Sequence, residues 1–141
     1  MDTLLLLRLL LDFGCLVMIW MVQLVVYPSF IYFAKADLFR WHERYTGLVT
    51  VVVFPLMTGQ LFVFGVQLWQ LVNWYTLLSG MLIAGLWGST FLYFVPLHGT
   101  IQPDHYDLNK VKRLANHNWW RTALWSILFL FTLAFYLSQQ A

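Results

Sequence analysis

The sequence has little charge and almost no cysteine, and both shortages narrow what the chain can be. Lysine, arginine, aspartate and glutamate together make up 10% of 141 residues, whereas a soluble domain has about 25%. So few charges cannot cover a water-facing surface, which excludes a soluble monomer and a disordered chain. The single cysteine, Cys15, excludes a disulfide scaffold. With 61% hydrophobic residues and a mean hydropathy of +0.70, the chain is predicted to be an integral membrane protein.

The sequence also lacks the motifs that mark several functional classes. It has no Gly-rich phosphate loop, no Cys-x-x-Cys, no His-Glu-x-x-His and no pair of carboxylates within one predicted span. Zinc peptidases and carboxylate-based proton pumps therefore have no support, and no metal site is predicted. The basic residues are scattered over two loops without interleaved aromatic residues, so no nucleic-acid partner is expected.

Uncharged stretches divide the chain into four predicted spans. Residues 13–34, 45–103 and 122–141 contain no Asp, Glu, Lys or Arg. A bilayer core needs about 20 apolar residues per helix, so the middle stretch holds two helices with a turn near Asn73. The segments show no strict alternation, which argues against a barrel. The sequence predicts an all-α, four-helix membrane bundle in one domain, residues 1–141, with helices at about 4–34, 38–69, 74–97 and 107–138.

Basic residues are strongly biased to one side of the predicted membrane. We call the side of the N-terminus side A and the opposite side B. Arg8 lies on side A or within the membrane, whereas the other seven of the 8 basic residues lie on side B. The positive-inside rule then places side B in the cytoplasm and both termini outside it, an N-out/C-out orientation. These seven residues are Lys35, Arg40, Arg44, Lys110, Lys112, Arg113 and Arg121.

The histidines lie near side B, where a functional site is predicted. His42 lies at the start of helix 2, and His98 follows a proline at the end of helix 3. They are interpreted as interfacial anchors, as acid–base or ligand-orienting groups, or as haem ligands, which carry no local spacing signature. Most tyrosines and tryptophans are interpreted as the aromatic belt of a membrane protein.

Helix 4 carries a second group of candidate residues on one face. Asn118, Arg121 and Trp125 follow one another at helical spacing. Arg121 is the last charge before the uncharged C-terminal stretch, so two readings stay open. It either extends toward lipid headgroups, or faces the bundle interior and binds an anionic or carbonyl group.

Helix 1 holds the remaining predicted ionisable pair. Arg8 and Asp12 are four residues apart, and we expect them to neutralise one another near the side A interface. Side A otherwise has few polar residues, and Cys15 is expected to lie in the core.

Several short motifs resemble a group of small bacterial four-helix membrane proteins, which is distantly similar to the anthrone-oxygenase-like membrane proteins. In the latter the last helix opens with Asn-x-x-Arg-Thr, matched here by Asn118, Arg121 and Thr122. The layout is also similar to HemJ-type protoporphyrinogen oxidases, which have a Pro-x-Met in helix 2. The haem-ligating histidine of that family has no counterpart in residues 13–34. The motifs that carry the resemblance are Tyr27–Phe30, Phe39, His42, Pro55–Met57, Pro96–His98 and Asn118–Thr122.

The resemblance implies a multi-pass protein of the bacterial inner membrane with a small-molecule site at its cytoplasmic mouth. We expect it to oxidise an apolar aromatic or quinone-like substrate that arrives from lipid. His42 and His98 would act as acid–base or ligand-orienting groups, and Asn118 and Arg121 would hold a substrate oxygen. No cofactor is identified by the sequence. Two alternatives stay open: a non-catalytic subunit of a larger membrane complex or homo-oligomer, and a haem or pigment carrier.

The charge bias generates a first prediction about orientation. A reporter that is active only in the cytoplasm, fused after Ala141, should give no signal, because the basic loops hold side B in the cytoplasm. The same reporter inserted in the loop before Leu108 should be active. A signal from the C-terminal fusion would reverse the predicted orientation.

Overall fold

The structure, a computed structural model, describes residues 3–140 and contains four long helices in that range. No strand occurs between residues 3 and 140. Each helix is long and apolar enough to cross a membrane, so the chain is an all-α, multi-pass membrane protein whose outer faces contact lipid. The predicted fold is confirmed, and the helix bounds differ from the predicted ones by a few residues. The helices are α1 (Thr3–Tyr32), α2 (Lys35–Gln70), α3 (Trp74–Gly99) and α4 (Leu108–Ser138).

Helix α1 is the element around which the bundle is organised, since it packs extensively against both α4 and α2. Its buried residues recur every three or four positions, the spacing of one helix face. That buried stripe includes two charged side chains, whereas the residues facing outward are large and apolar. Such an arrangement suits lipid, because apolar surface is stable outside and polar groups need partners inside. The stripe consists of Leu5, Arg8, Asp12, Cys15 and Ile19.

A tight turn on side A joins α2 to α3. The Asn73 side chain accepts a hydrogen bond from the Thr76 backbone N–H at 2.9 Å, and the Thr76 hydroxyl accepts one from the Asn73 N–H, also at 2.9 Å. This reciprocal capping satisfies donors that the start of a helix leaves unpaired. Close above the turn, Phe64 packs so tightly on Gly80 that a Cβ at Gly80 would lie 2.7 Å from its ring. The two helices are therefore in close contact in the side A half.

Helices α1 and α3 each contain a short π-helical segment just before a proline. Val22–Val26 precedes Tyr27-Pro28, and Thr90–Phe94 precedes Val95-Pro96. In each helix the residue before the proline donates its backbone N–H to the carbonyl five residues earlier. The wider turn allows each helix to continue past a proline, whose ring would crowd the carbonyl of a regular turn.

A charged network lies fully buried in the side A half of the bundle. Nε of Arg8 donates to both carboxylate oxygens of Asp12, at 2.9 and 3.1 Å, and both side chains have zero exposure. The predicted pair is present and the two charges neutralise one another, but both side chains lie inside the bundle with polar partners from other helices, so the side A half holds more polar groups than expected. Residues from α2 and α4 enclose the pair, and these are distant in sequence. Its further partners are Gln60 and Gln67 of α2 and Thr132 of α4, and the Tyr75 hydroxyl of α3 donates to Thr132.

Removal of one charge from this network should strongly destabilise the bundle. Asp12→Leu would leave the Arg8 guanidinium buried without a counter-charge, and we expect a loss of about 3–5 kcal/mol in the free energy of unfolding. The measurement is titration with a denaturing detergent followed by circular dichroism.

The matched control is Asp37→Ala. Asp37 pairs with Arg40 at 3.8 Å on an exposed turn of α2, and such surface pairs contribute less than about 1 kcal/mol. Equal losses in the two variants would show that the buried network does not stabilise the bundle.

Candidate functional site

A cavity of about 680 Å³ lies between α2 and α3 in the side B half of the bundle. Its wall on α2 extends from Phe39 to Val53, which is about 21 Å along the helix axis. Apolar side chains of α1 form its inner end, among them Met18 and Ile19. Thr50 on one wall and Val95 on the other are exposed, so the cavity is open between the two helices on the surface that lipid would cover.

The two histidines predicted as site residues meet at this cavity. Nε2 of His42 and Nδ1 of His98 are 2.8 Å apart, and the two rings are stacked with centroids 5.1 Å apart. His98 also uses its Nε2, which lies 2.9 Å from the hydroxyl of Tyr27 on α1. Three helices thus contribute to one chain of hydrogen bonds, Tyr27–His98–His42.

This chain can carry a proton in either direction. When Nδ1 of His98 holds the proton, it donates to His42, and Nε2 of His98 accepts from the Tyr27 hydroxyl. In the other tautomer both bonds reverse, and His98 donates to the Tyr27 oxygen. Neither ring has to move for this change. A proton accepted at one end can therefore be released at the other.

Arg121 lies inside the bundle and lines the cavity. Its side chain is only 6% exposed. Of the two alternatives that the sequence left open, lipid headgroups or the bundle interior, the structure has the interior one. Its Nη2 donates to the Thr90 hydroxyl at 2.9 Å and its Nη1 to Oδ1 of Asn118 at 3.2 Å. The guanidinium also lies 4.2 Å from the centre of the Phe94 ring, within the range of a cation–π contact.

Asn118 lies behind Arg121 and does not line the cavity. Its Oδ1 accepts from Arg121, and its Nδ2 donates to Oε1 of Gln23 on α1 at 3.0 Å. Gln23 in turn donates to the backbone carbonyl of Ala115. Asn118 is therefore not placed for the predicted direct contact with a substrate oxygen. Its hydrogen bond instead positions the Arg121 guanidinium.

Three members of the site were not identified from the sequence. Tyr27 is named only within the motif Tyr27–Phe30, and neither Thr90 nor Gln23 is among the predicted site residues. A usable signal was present for Gln23 and Tyr27, since they are four residues apart, on one face of α1, and Gln23 is an amide within an apolar run. Thr90 carries no such signal, because its contact with Arg121 joins residues 31 positions apart.

The histidine pair does not fit the role of axial haem ligands. Bis-histidine ligation requires an iron between the two ligating nitrogens, whereas the facing nitrogens of His42 and His98 are hydrogen-bonded to each other. Over residues 3–140, no group of three or more His, Cys, Asp or Glu side chains is arranged to hold a metal ion.

Comparisons of the chain with protein-family models, with curated proteins and with solved structures gave no match. The resemblance to anthrone-oxygenase-like and HemJ-type proteins therefore stays a prediction.

The histidine geometry predicts a colourless protein. Purified protein should show no Soret absorbance, because the nitrogens that would bind iron bind each other. An absorbance spectrum of the protein as purified, and again after incubation with hemin and removal of the excess, is the measurement. A stoichiometric Soret band that disappears in His98→Ala would contradict the prediction.

Proposed function

We propose that this protein binds an apolar, oxygen-bearing aromatic molecule from the lipid phase and performs acid–base chemistry on it. The observation that supports the proposal most strongly is the location of the His42–His98 pair and Arg121 on one cavity that is open between two transmembrane helices. Its volume of about 680 Å³ falls in the range of about 300–1,000 Å³ typical of small-molecule sites.

The polar groups of the cavity divide the chemistry between them. A neutral imidazole of the pair accepts a proton from the substrate. The negative charge that develops on the substrate oxygen is stabilised by the Arg121 guanidinium in a site with little water. For a tricyclic ketone such as anthrone, the base removes a ring CH proton and the product is the enolate. Oxidation of that anion then requires a second substrate, such as dioxygen or a quinone, as electron acceptor.

We propose that the site lies at the cytoplasmic side of the membrane. With side B in the cytoplasm, the histidine pair lies at the cytoplasmic end of the bundle, in a bacterial inner membrane. Substrate reaches the cavity from the bilayer between α2 and α3, and the Tyr27–His98–His42 chain exchanges protons with the cytoplasmic side.

The test measures binding and proton removal separately in lipid nanodiscs. We expect the wild-type protein to bind anthrone and to accelerate exchange of its CH₂ protons with deuterated buffer under anaerobic conditions. Val53→Trp should strongly weaken both, because an indole at this position occupies part of the inner end of the cavity. The double variant His42→Gln with His98→Gln should keep binding within about threefold and lose the acceleration, because neither amide is a base at neutral pH.

Val51→Trp is the matched control, since Val51 is two residues away on α2 and is 73% exposed toward lipid. It should behave as the wild type. Exchange that is not accelerated over empty nanodiscs would contradict the acid–base role. Binding that Val53→Trp leaves unchanged would contradict the site.

A further inference from the structure

Two arginines are buried in this bundle, and they differ in what their Nε atoms contact. Nε of Arg8 donates to both oxygens of Asp12, so a carboxylate neutralises that guanidinium at 2.9 Å. Each guanidinium has one buried nitrogen without a hydrogen-bond partner among residues 3–140, Nη2 of Arg8 and Nε of Arg121, but only Arg8 has a carboxylate beside it. Among the described residues, no carboxylate lies beside Arg121 as Asp12 lies beside Arg8.

The side chains that do contact Arg121 are neutral. Thr90 and Asn118 accept from its two terminal nitrogens, the Tyr27 hydroxyl lies within hydrogen-bonding range of the guanidinium, and Tyr45 lies within electrostatic range. Within the part of the chain that the structure describes, Arg121 forms no ion pair. A cation buried in a membrane protein without a counter-charge is costly. The charge of Arg121 therefore favours a bound anion.

We propose that the cavity binds an organic monocarboxylate, whose carboxylate is bound by the Arg121 guanidinium at the cavity wall and whose apolar body lies between α2 and α3. This inference rests on the small-molecule site proposed above and adds a second class of ligand for it. The flat guanidinium suits a carboxylate, because two parallel N–H groups on one edge match its two oxygens.

The charges around the cavity favour a monoanion over a phosphate dianion. Arg121 is the only arginine or lysine among the described residues that line it, and Glu43 lines it as well. One guanidinium neutralises one carboxylate, as in the Arg8–Asp12 pair. A dianion would leave one negative charge uncompensated next to a second carboxylate.

The inner end of the cavity favours an apolar body on that ligand. Ile19 and Val22 of α1 and Val49 and Val53 of α2 line it. A carboxylate bound at Arg121 leaves the rest of the ligand against these side chains and toward the opening between the helices. A small hydrophilic acid such as acetate would leave this surface uncovered and should bind poorly.

The experiment compares two ligands of nearly the same shape and different charge. 2-Naphthoate is ionised at pH 7.5, whereas 2-acetylnaphthalene has a methyl ketone in place of the carboxylate. Binding is measured by equilibrium dialysis against nanodiscs of phosphatidylcholine, with empty nanodiscs as the background. We expect wild-type protein to bind the naphthoate at least tenfold more tightly, and this preference needs no variant.

Three variants test whether Arg121 is responsible. Arg121→Gln should weaken naphthoate binding by about 30-fold or more and leave the ketone within threefold. Arg121→Lys should lose about tenfold, because the ammonium keeps the charge but lacks the planar pair of donors. Arg113→Gln removes an exposed cation from the same helix on the same membrane side and should have no effect.

The outcomes separate this inference from the proposed function. Equal binding of the two ligands by the wild type, weakened by Val53→Trp, would overturn the monocarboxylate and leave the small-molecule site in place. The absence of binding of naphthoate, ketone and anthrone alike would overturn both. A preference for naphthoate that Arg121→Gln leaves unchanged, in protein with wild-type circular dichroism, would also overturn the assignment to Arg121.

Discussion

The Arg8–Asp12 ion pair is the interaction on which the rest of the bundle depends. Lipid removes the hydrophobic driving force between helices, so packing and polar contacts must hold them together. Asp12 on α1 accepts from Gln60 of α2 and Thr132 of α4, and Thr132 accepts from Tyr75 of α3. One carboxylate thereby connects all four helices in the side A half. With the helices fixed there, α2 and α3 can enclose a cavity in the other half.

Both halves of the bundle contain a buried arginine with polar partners, but the two arginines have different roles. In the side A half a carboxylate, a guanidinium and their amide and hydroxyl partners bind one another. An apolar layer separates them from the side B half, where the histidine pair and Arg121 lie on a cavity wall. In the side A half the guanidinium has a carboxylate partner inside the protein, whereas Arg121 on the cavity wall has none among the described residues and is available to an anionic ligand. Stability and ligand binding are thus located at opposite ends of the same four helices.

The length and number of the helices could be predicted, because a helix that crosses a bilayer needs about 20 apolar residues and such uncharged runs are visible in the sequence. His42, His98 and Arg121 could be placed on side B for the same reason. The placement of Asn118 behind Arg121, and the burial of Arg8 and Asp12, could not be predicted, since both depend on amides from other helices. Gln23 lies 95 positions from Asn118, and Gln60 lies 48 from Asp12. No local spacing encodes such contacts.

The π-helical segments of α1 and α3 make the cavity sensitive to chain length. Each segment adds one residue to a turn, and one residue corresponds to a rotation of about 100° around a helix axis. Loss of a single apolar residue from Val22–Val26 would leave the hydropathy of α1 almost unchanged. The deletion would nevertheless turn Tyr27 away from His98, or it would rotate the preceding part of α1, including Arg8, relative to α2 and α4. A single-residue insertion or deletion and an apolar substitution both leave the mean hydropathy of such a helix almost unchanged. The insertion or deletion changes the geometry of the site far more.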